Sequence, residues 1–233
     1  VAWPKVSGVM SVPRLGFMDN FFAAFQALHP LGVRLRKFTG AFWGQCLTRA
    51  IEESLDRLKL GYVDMLMIHW PHPAEDRFVE TWEVFTEYLA TGRVRGIGVS
   101  NFEPAHLQKL MDHSDVVPAI NQIELNPAFQ QPELRAFNAE HGILTEAWSP
   151  IARGRDNEHP TLVSLTKKHG KSAAQVILRW HIQLGNLVIP KTVNPDRLLE
   201  NISVFDFELD PEDMAAIAQM DTGVRSGLDP NNW

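Results

Sequence analysis

The strongest constraint on this chain is an alternation that starts near residue 44 and runs to its end. Short, dense apolar runs alternate with segments of helical period. Strands are predicted at Val63–Trp70, Val94–Ser100, Ala119–Leu125, Ile143–Trp148 and Leu187–Lys191. Helices are predicted at Thr48–Leu60, Phe78–Thr91, Pro104–Met111, Pro132–His141, Leu162–His169, Ala173–Leu184, Pro195–Val204 and Pro211–Met220. Thr48–Leu60 shows the pattern: Ile51, Leu55 and Leu58 form one stripe, and Glu52, Glu53, Asp56 and Arg57 lie mostly on the other face. Glycine closes several of these segments, as at Gly92, and proline opens others, as at Pro195 and Pro211.

Strands that are apolar along their length need cover on both faces, and helices between them supply it, so the sheet is predicted to be parallel. The strand ends fall near 70, 100, 124, 148 and 190, a spacing that suits βα units of a closed barrel. No G-x-G-x-x-G follows a strand, so an open dinucleotide-binding sheet has no support. The fold class is therefore α/β, of the parallel (β/α)8 TIM-barrel type. Only five strands follow residue 44, and three more with their helices need roughly 75–90 further residues. The first 43 residues are too few, so the first three βα units are expected to be incomplete or rearranged. One domain over 1–233 is expected, atypical over 1–43 and regular over 44–233. Open sheet edges leave association between copies possible.

Composition narrows the class of function. The formal net charge is −6, which argues against a general nucleic-acid or anionic-membrane binder. No apolar run approaches the roughly 18 residues of a membrane span. The single cysteine, Cys46, excludes an internal disulfide and a cysteine-based zinc site, and favours a reducing, cytoplasmic setting.

Each predicted strand is apolar until its carboxyl end, which reads His69-Trp70, Ser100-Asn101, Asn121-Gln122, Trp148-Ser149 and Lys191-Thr192 in turn. Barrel strands bring those ends to one face, the face that carries active sites. The last set precedes a helix with Asn194 as its expected cap, Pro195 in its first turn and Arg197 close behind. A helix start beside lysine and arginine suits a phosphate, although an ordinary capped surface helix has the same letters. Trp148 is either core or a flat surface for a cofactor ring. His69 is either a satisfied strand histidine or a general acid. No third ligand completes a metal site with His69 and His72, so no metal is expected.

Taken together, these motifs resemble the aldo-keto reductases, and most closely their bacterial 2,5-diketo-D-gluconate reductase type. The resemblance runs from about Thr48 to the C-terminus. It rests on Ala50-Ile51-Glu52-Glu53-Ser54-Leu55, Met67-Ile68-His69-Trp70-Pro71, Gly96-Ile97-Gly98-Val99-Ser100-Asn101-Phe102, Asn121-Gln122-Ile123-Glu124, Glu146-Ala147-Trp148-Ser149-Pro150 and Ile189-Pro190-Lys191-Thr192, continuing through Arg197 to Glu200-Asn201. It implies a cytoplasmic, monomeric enzyme that reduces aldehyde and ketone groups of small molecules with NADPH. Ser100, Asn101 and Gln122 would hold the nicotinamide carboxamide. Trp148, followed by Ser149, would stack on the ring, where many relatives carry tyrosine. Lys191, Thr192 and Arg197 would take the 2′-phosphate, and Glu200 and Asn201 the adenine. His69 matches the catalytic histidine, Trp70 would line the substrate pocket, and Lys37 stands where the catalytic lysine is expected.

The departures are equally specific. The family's catalytic tyrosine and aspartate stretch has no counterpart; the only tyrosines are Tyr62 and Tyr88. Three behaviours fit this residue set: an impaired carbonyl reductase with His69 as the remaining proton donor, a module that binds NADPH without turnover, and a damaged gene product.

Overall fold

The structure, a computed structural model, describes residues 40–232. In chain order the elements are α1 (Gly40–Leu58), β1 (Leu66–Ile68), α2 (Phe78–Thr91), β2 (Ile97–Ser100), α3 (Pro104–His113), β3 (Ile120–Glu124), α4 (Pro132–Glu140) and β4 (Leu144–Trp148). They continue with α5 (Pro160–His169), α6 (Ala173–Gln183), β5 (Leu187–Val188), α7 (Pro195–Ile202) and α8 (Pro211–Ala218). The five strands form one sheet in the order β1-β2-β3-β4-β5. Every pairing is parallel. Within the described residues the sheet is open, with β1 and β5 at its edges.

The helices form where the pattern predicts, for identifiable reasons. Gly92 closes α2 at φ 74°, a left-handed value that costs glycine nothing. Ser172 and Gln175 cap α6 reciprocally, as do Asp210 and Asp213 for α8. The main core lies between the sheet and helices α1 to α4; Trp82, Phe102, Leu107, Leu110 and Ile123 are all buried there. Trp82 is 1% exposed, and its indole N–H donates to the Val116 carbonyl at 3.1 Å. A second cluster, with Leu162, Val176, Trp180 and Ile217, joins α5, α6 and α8.

The strands are shorter than predicted, and the ends explain why. Before β1, Val63 makes only an isolated bridge to Val94, and the neighbouring Asp64 and Arg95 form an ion pair at 3.2 Å across the break. Beyond β1, His69 and Trp70 leave the ladder because its partner strand turns away at Asn101, whose φ is 63°. β5 stops at Val188; Pro190 has no N–H to donate to a ladder. α1 reaches back to Gly40, well before the predicted Thr48.

Candidate functional site

Sheet register decides which polar side chains share a face. Ser100 aligns with Gln122, Gln122 with Glu146, and Glu124 with Trp148. Side chains alternate along a strand, so Ser100, Gln122, Glu124, Glu146 and Trp148 lie on one face of the sheet. Asn121, one residue out of step, serves the other face. It donates to the Phe102 carbonyl at 2.9 Å and to Asn138 of α4 at 3.4 Å.

On the first face the strand ends are cross-linked by their own side chains. The Ser100 hydroxyl donates to the Gln122 carbonyl at 2.9 Å. The Asn101 amide nitrogen donates to the His69 carbonyl at 3.0 Å and to the Ser100 hydroxyl at 3.1 Å. The Trp148 indole donates to the Asn101 amide oxygen at 2.8 Å. The Gln122 amide nitrogen donates to Glu146 at 2.6 Å. Ser100, Asn101, Gln122 and Glu146 are all buried. Burial pushes the Glu146 carboxyl up to about 7, against the downward pull of the Gln122 amide. Asn101 and Ser149 sit at φ 63° and 52°, and non-glycine residues held at such values collect at functional sites.

His69 is exposed at the end of β1, with its ring 6.1 Å from the half-buried Trp70 ring in an edge-on arrangement. Beyond β5 the expected phosphate residues line up along one stretch. Asn194 caps α7, its side chain accepting from the Asp196 N–H at 2.8 Å. Lys191 and Arg197 are exposed, and neither has an ion-pair partner among the described residues. Thr192, Glu200 and Asn201 are half-buried. The Thr192 hydroxyl accepts from the Asn194 N–H at 3.1 Å. Lys37 lies outside the described residues.

The structure thus joins Ser100, Asn101, Gln122 and Trp148 directly, and touches His69 through its carbonyl. It puts Lys191 through Asn201 on a separate stretch, exposed except at Thr192, Glu200 and Asn201. Sequence reading passed over two acids of the first face, Glu124 and Glu146. Each lies two residues from a chosen site residue, so strand alternation was the signal.

Both tyrosines are accounted for elsewhere. Tyr62 precedes β1, at the end of the strand opposite His69, and carries the Arg95 guanidinium 3.5 Å above its ring. Tyr88, in α2, is buried and donates to Glu52 at 2.7 Å; burial, then Glu52, push its hydroxyl up to about 12. Neither reaches the strand ends that hold Asn101 and Trp148.

Comparison with known proteins agrees with this fold. The aldo/keto reductase family model matches residues 41–222. An aldo-keto reductase of Mycobacterium sp. (strain KMS) is 52% identical over 184 residues, covering 79% of this chain and 67% of that protein. Methylglyoxal reductase DkgA of Escherichia coli (strain K12) is 45% identical over 186 residues, covering 79% of this chain and 68% of the relative. The crystal structure of a Gox0644 mutant in complex with NADPH superposes with a TM-score of 0.78 at 49% identity, over 80% of this chain and 69% of that one. With that family model spanning most of its length, the chain belongs to the aldo/keto reductase family.

Proposed function

We propose that this chain binds NADPH along the carboxyl ends of β2 to β5 and uses it to reduce aldehyde or ketone groups of small molecules, slowly. The observation that carries the reading is the cross-linked set Ser100, Asn101, Gln122 and Trp148 beside His69. The donor set suits a nicotinamide carboxamide. The Gln122 amide oxygen has no partner among the described residues, and the amide nitrogen keeps one hydrogen after donating to Glu146. An acceptor and a donor on one amide match the NH2 and the carbonyl of a carboxamide. Trp148 offers a flat ring beside them. Lys191 and Arg197, without an ion-pair partner among the described residues and near the start of α7, suit the charge of the 2′-phosphate, with Thr192 as a further donor. Glu200 and Asn201 suit an adenine edge.

Bound NADPH supplies a hydride to the carbonyl carbon. The chain must then place the substrate oxygen and deliver one proton to it. With both tyrosines engaged elsewhere, His69 is the donor, because imidazole titrates closest to neutrality. Trp70, next to it, lines the substrate side. Lys37, one of the residues outside those described, is the candidate for the family's lysine. We place the activity in one domain and in a reducing compartment such as the cytoplasm. Among the described residues no helix is long and apolar enough to cross a membrane.

The test is a titration of NADPH, then NADH, into the purified chain, followed by tryptophan fluorescence and by absorbance loss with methylglyoxal. Saturable binding that prefers NADPH is expected, with slow turnover that disappears in His69→Ala. Turnover unchanged in that variant removes His69 from the reaction. A second reading, binding without turnover, is favoured by the engaged tyrosines. It is the correct one if NADPH binds and no carbonyl oxidises it.

A further inference from the structure

Beyond α8 the chain returns across the strand ends as an irregular tail over 221–232. It is pinned at its start, where Thr222 donates to the Ala128 carbonyl through its N–H at 3.0 Å and its hydroxyl at 2.8 Å. Arg225 then pairs with Glu103 at 2.8 Å and lies 4.9 Å above the Phe129 ring. Next comes an unusual contact. Glu124, at the end of β3, is fully buried. Its carboxylate accepts from the Ser226 N–H at 3.0 Å, from the Ser226 hydroxyl, and from the Gly227 N–H at 2.9 Å. Both oxygens are used, and among the described residues every donor to them comes from the tail. A buried carboxylate is costly unless it is hydrogen-bonded, so the fold retains Glu124 on the condition that the tail is seated.

The seated tail meets Trp148. A Cβ on Gly227 would lie 2.6 Å from the indole Cη2, closer than real side chains approach, and 3.3 Å from Cζ2. Only a bare backbone fits there. The indole is therefore held twice, by Asn101 at its N–H and by the tail at its benzo ring.

We propose that Glu124 and Gly227 are positioning residues. The carboxylate docks the tail, and the bare backbone of Gly227 closes on Trp148, fixing the ring plane offered to the nicotinamide. The proposal rests on the NADPH reading above, and its test separates the two. Four variants are compared with the parent chain: Glu124→Gln, Gly227→Ala, a chain ending at Arg225, and that shortened chain carrying Glu124→Gln. The first readout needs no cofactor. It is the rate at which dilute trypsin cuts after Arg225, followed by the mass of the product lacking 226–233. Glu124→Gln takes the charge from all three bonds and replaces one acceptor oxygen by a donor, which should raise that rate about tenfold. The second readout is NADPH affinity from tryptophan quenching. Glu124→Gln, Gly227→Ala and the shortened chain should each weaken it by a similar factor, about tenfold, and Glu124→Gln should add nothing in the shortened chain.

An unchanged cleavage rate in Glu124→Gln overturns the docking. A further loss of affinity from Glu124→Gln in the shortened chain overturns action through the tail. A cooperative melt for each variant guards against general unfolding. If the parent chain binds no NADPH, the proposed function fails while the cleavage rates still decide the docking.

Discussion

The ends of β2 to β4 and the stretch from β5 into α7 carry the two halves of one proposed site, yet they are built in opposite ways. In the first half the polar side chains are buried and bonded to one another; Asn101 alone touches His69, Ser100 and Trp148. In the second half β5 has only two residues, α7 has no buried residue, and Arg197 faces solvent. A buried network makes geometry a property of the fold, so the site and the stability share the same bonds. An exposed pair of cations acts through charge, which costs the fold little and is weakened by salt.

That contrast can be broken experimentally. The largest effect is expected for Asn101→Ala. It removes three hydrogen bonds and places alanine at a left-handed φ of 63°. A loss of about 3 kcal/mol in urea unfolding is expected, from buried groups left without partners and from backbone strain. A loss below about 1 kcal/mol would mean that the network does not support the fold.

The next effect is in the pH dependence. Between about 4.5 and 7, the folded chain keeps a proton on Glu146 that the unfolded chain has released. This group's contribution is therefore full below pH 4.5 and lost as pH rises through 7. His181 behaves with the opposite sign. It is fully buried, its ring nitrogen 3.1 Å from the Pro150 carbonyl, and burial pushes its imidazole down to about 3. Its contribution is full above pH 6.5 and lost as pH falls toward 3. Glu146→Gln should remove the falling limb, stabilising the chain at pH 8 relative to pH 5 by about 2 kcal/mol against the parent. Unfolding midpoints taken across that range, unchanged between parent and variant, would refute the assignment.

The smallest effect on stability belongs to the exposed half. Lys191→Ala and Arg197→Ala should each move the unfolding free energy by less than about 0.5 kcal/mol. Each should weaken NADPH binding about tenfold at low salt, with the difference shrinking as salt is added. A loss of affinity that ignores salt would show that these side chains act through packing.

The same division governs what could be read from the letters. Strand–helix order, helix caps and the parallel sheet follow from local patterns, and Asn194 as the cap of α7 is one such case. The five strand ends were legible because polar residues stand out against apolar runs. Strand lengths were not, since they depend on pairing: β1 stops where its neighbour turns at Asn101, a tertiary event. Glu124 and Glu146 were overlooked for a related reason. An acid two places from a chosen residue looks like solvated decoration until the register places Glu146 against Gln122 and the returning tail reaches Glu124. Glycine at 227 likewise has no visible reason until Trp148 is beside it.

The bond from the Trp148 indole to the Asn101 oxygen has a consequence for how such a site can change over generations. A tyrosine in place of Trp148 would offer no N–H where the indole has one. Exchanging the ring here would strand the Asn101 oxygen, which the fold buries, and the amide would have to find another orientation while its nitrogen is committed to His69 and Ser100. The Trp148 ring and the Asn101 amide are thus coupled, and a lineage that exchanges one must repair the other before the exchange becomes neutral.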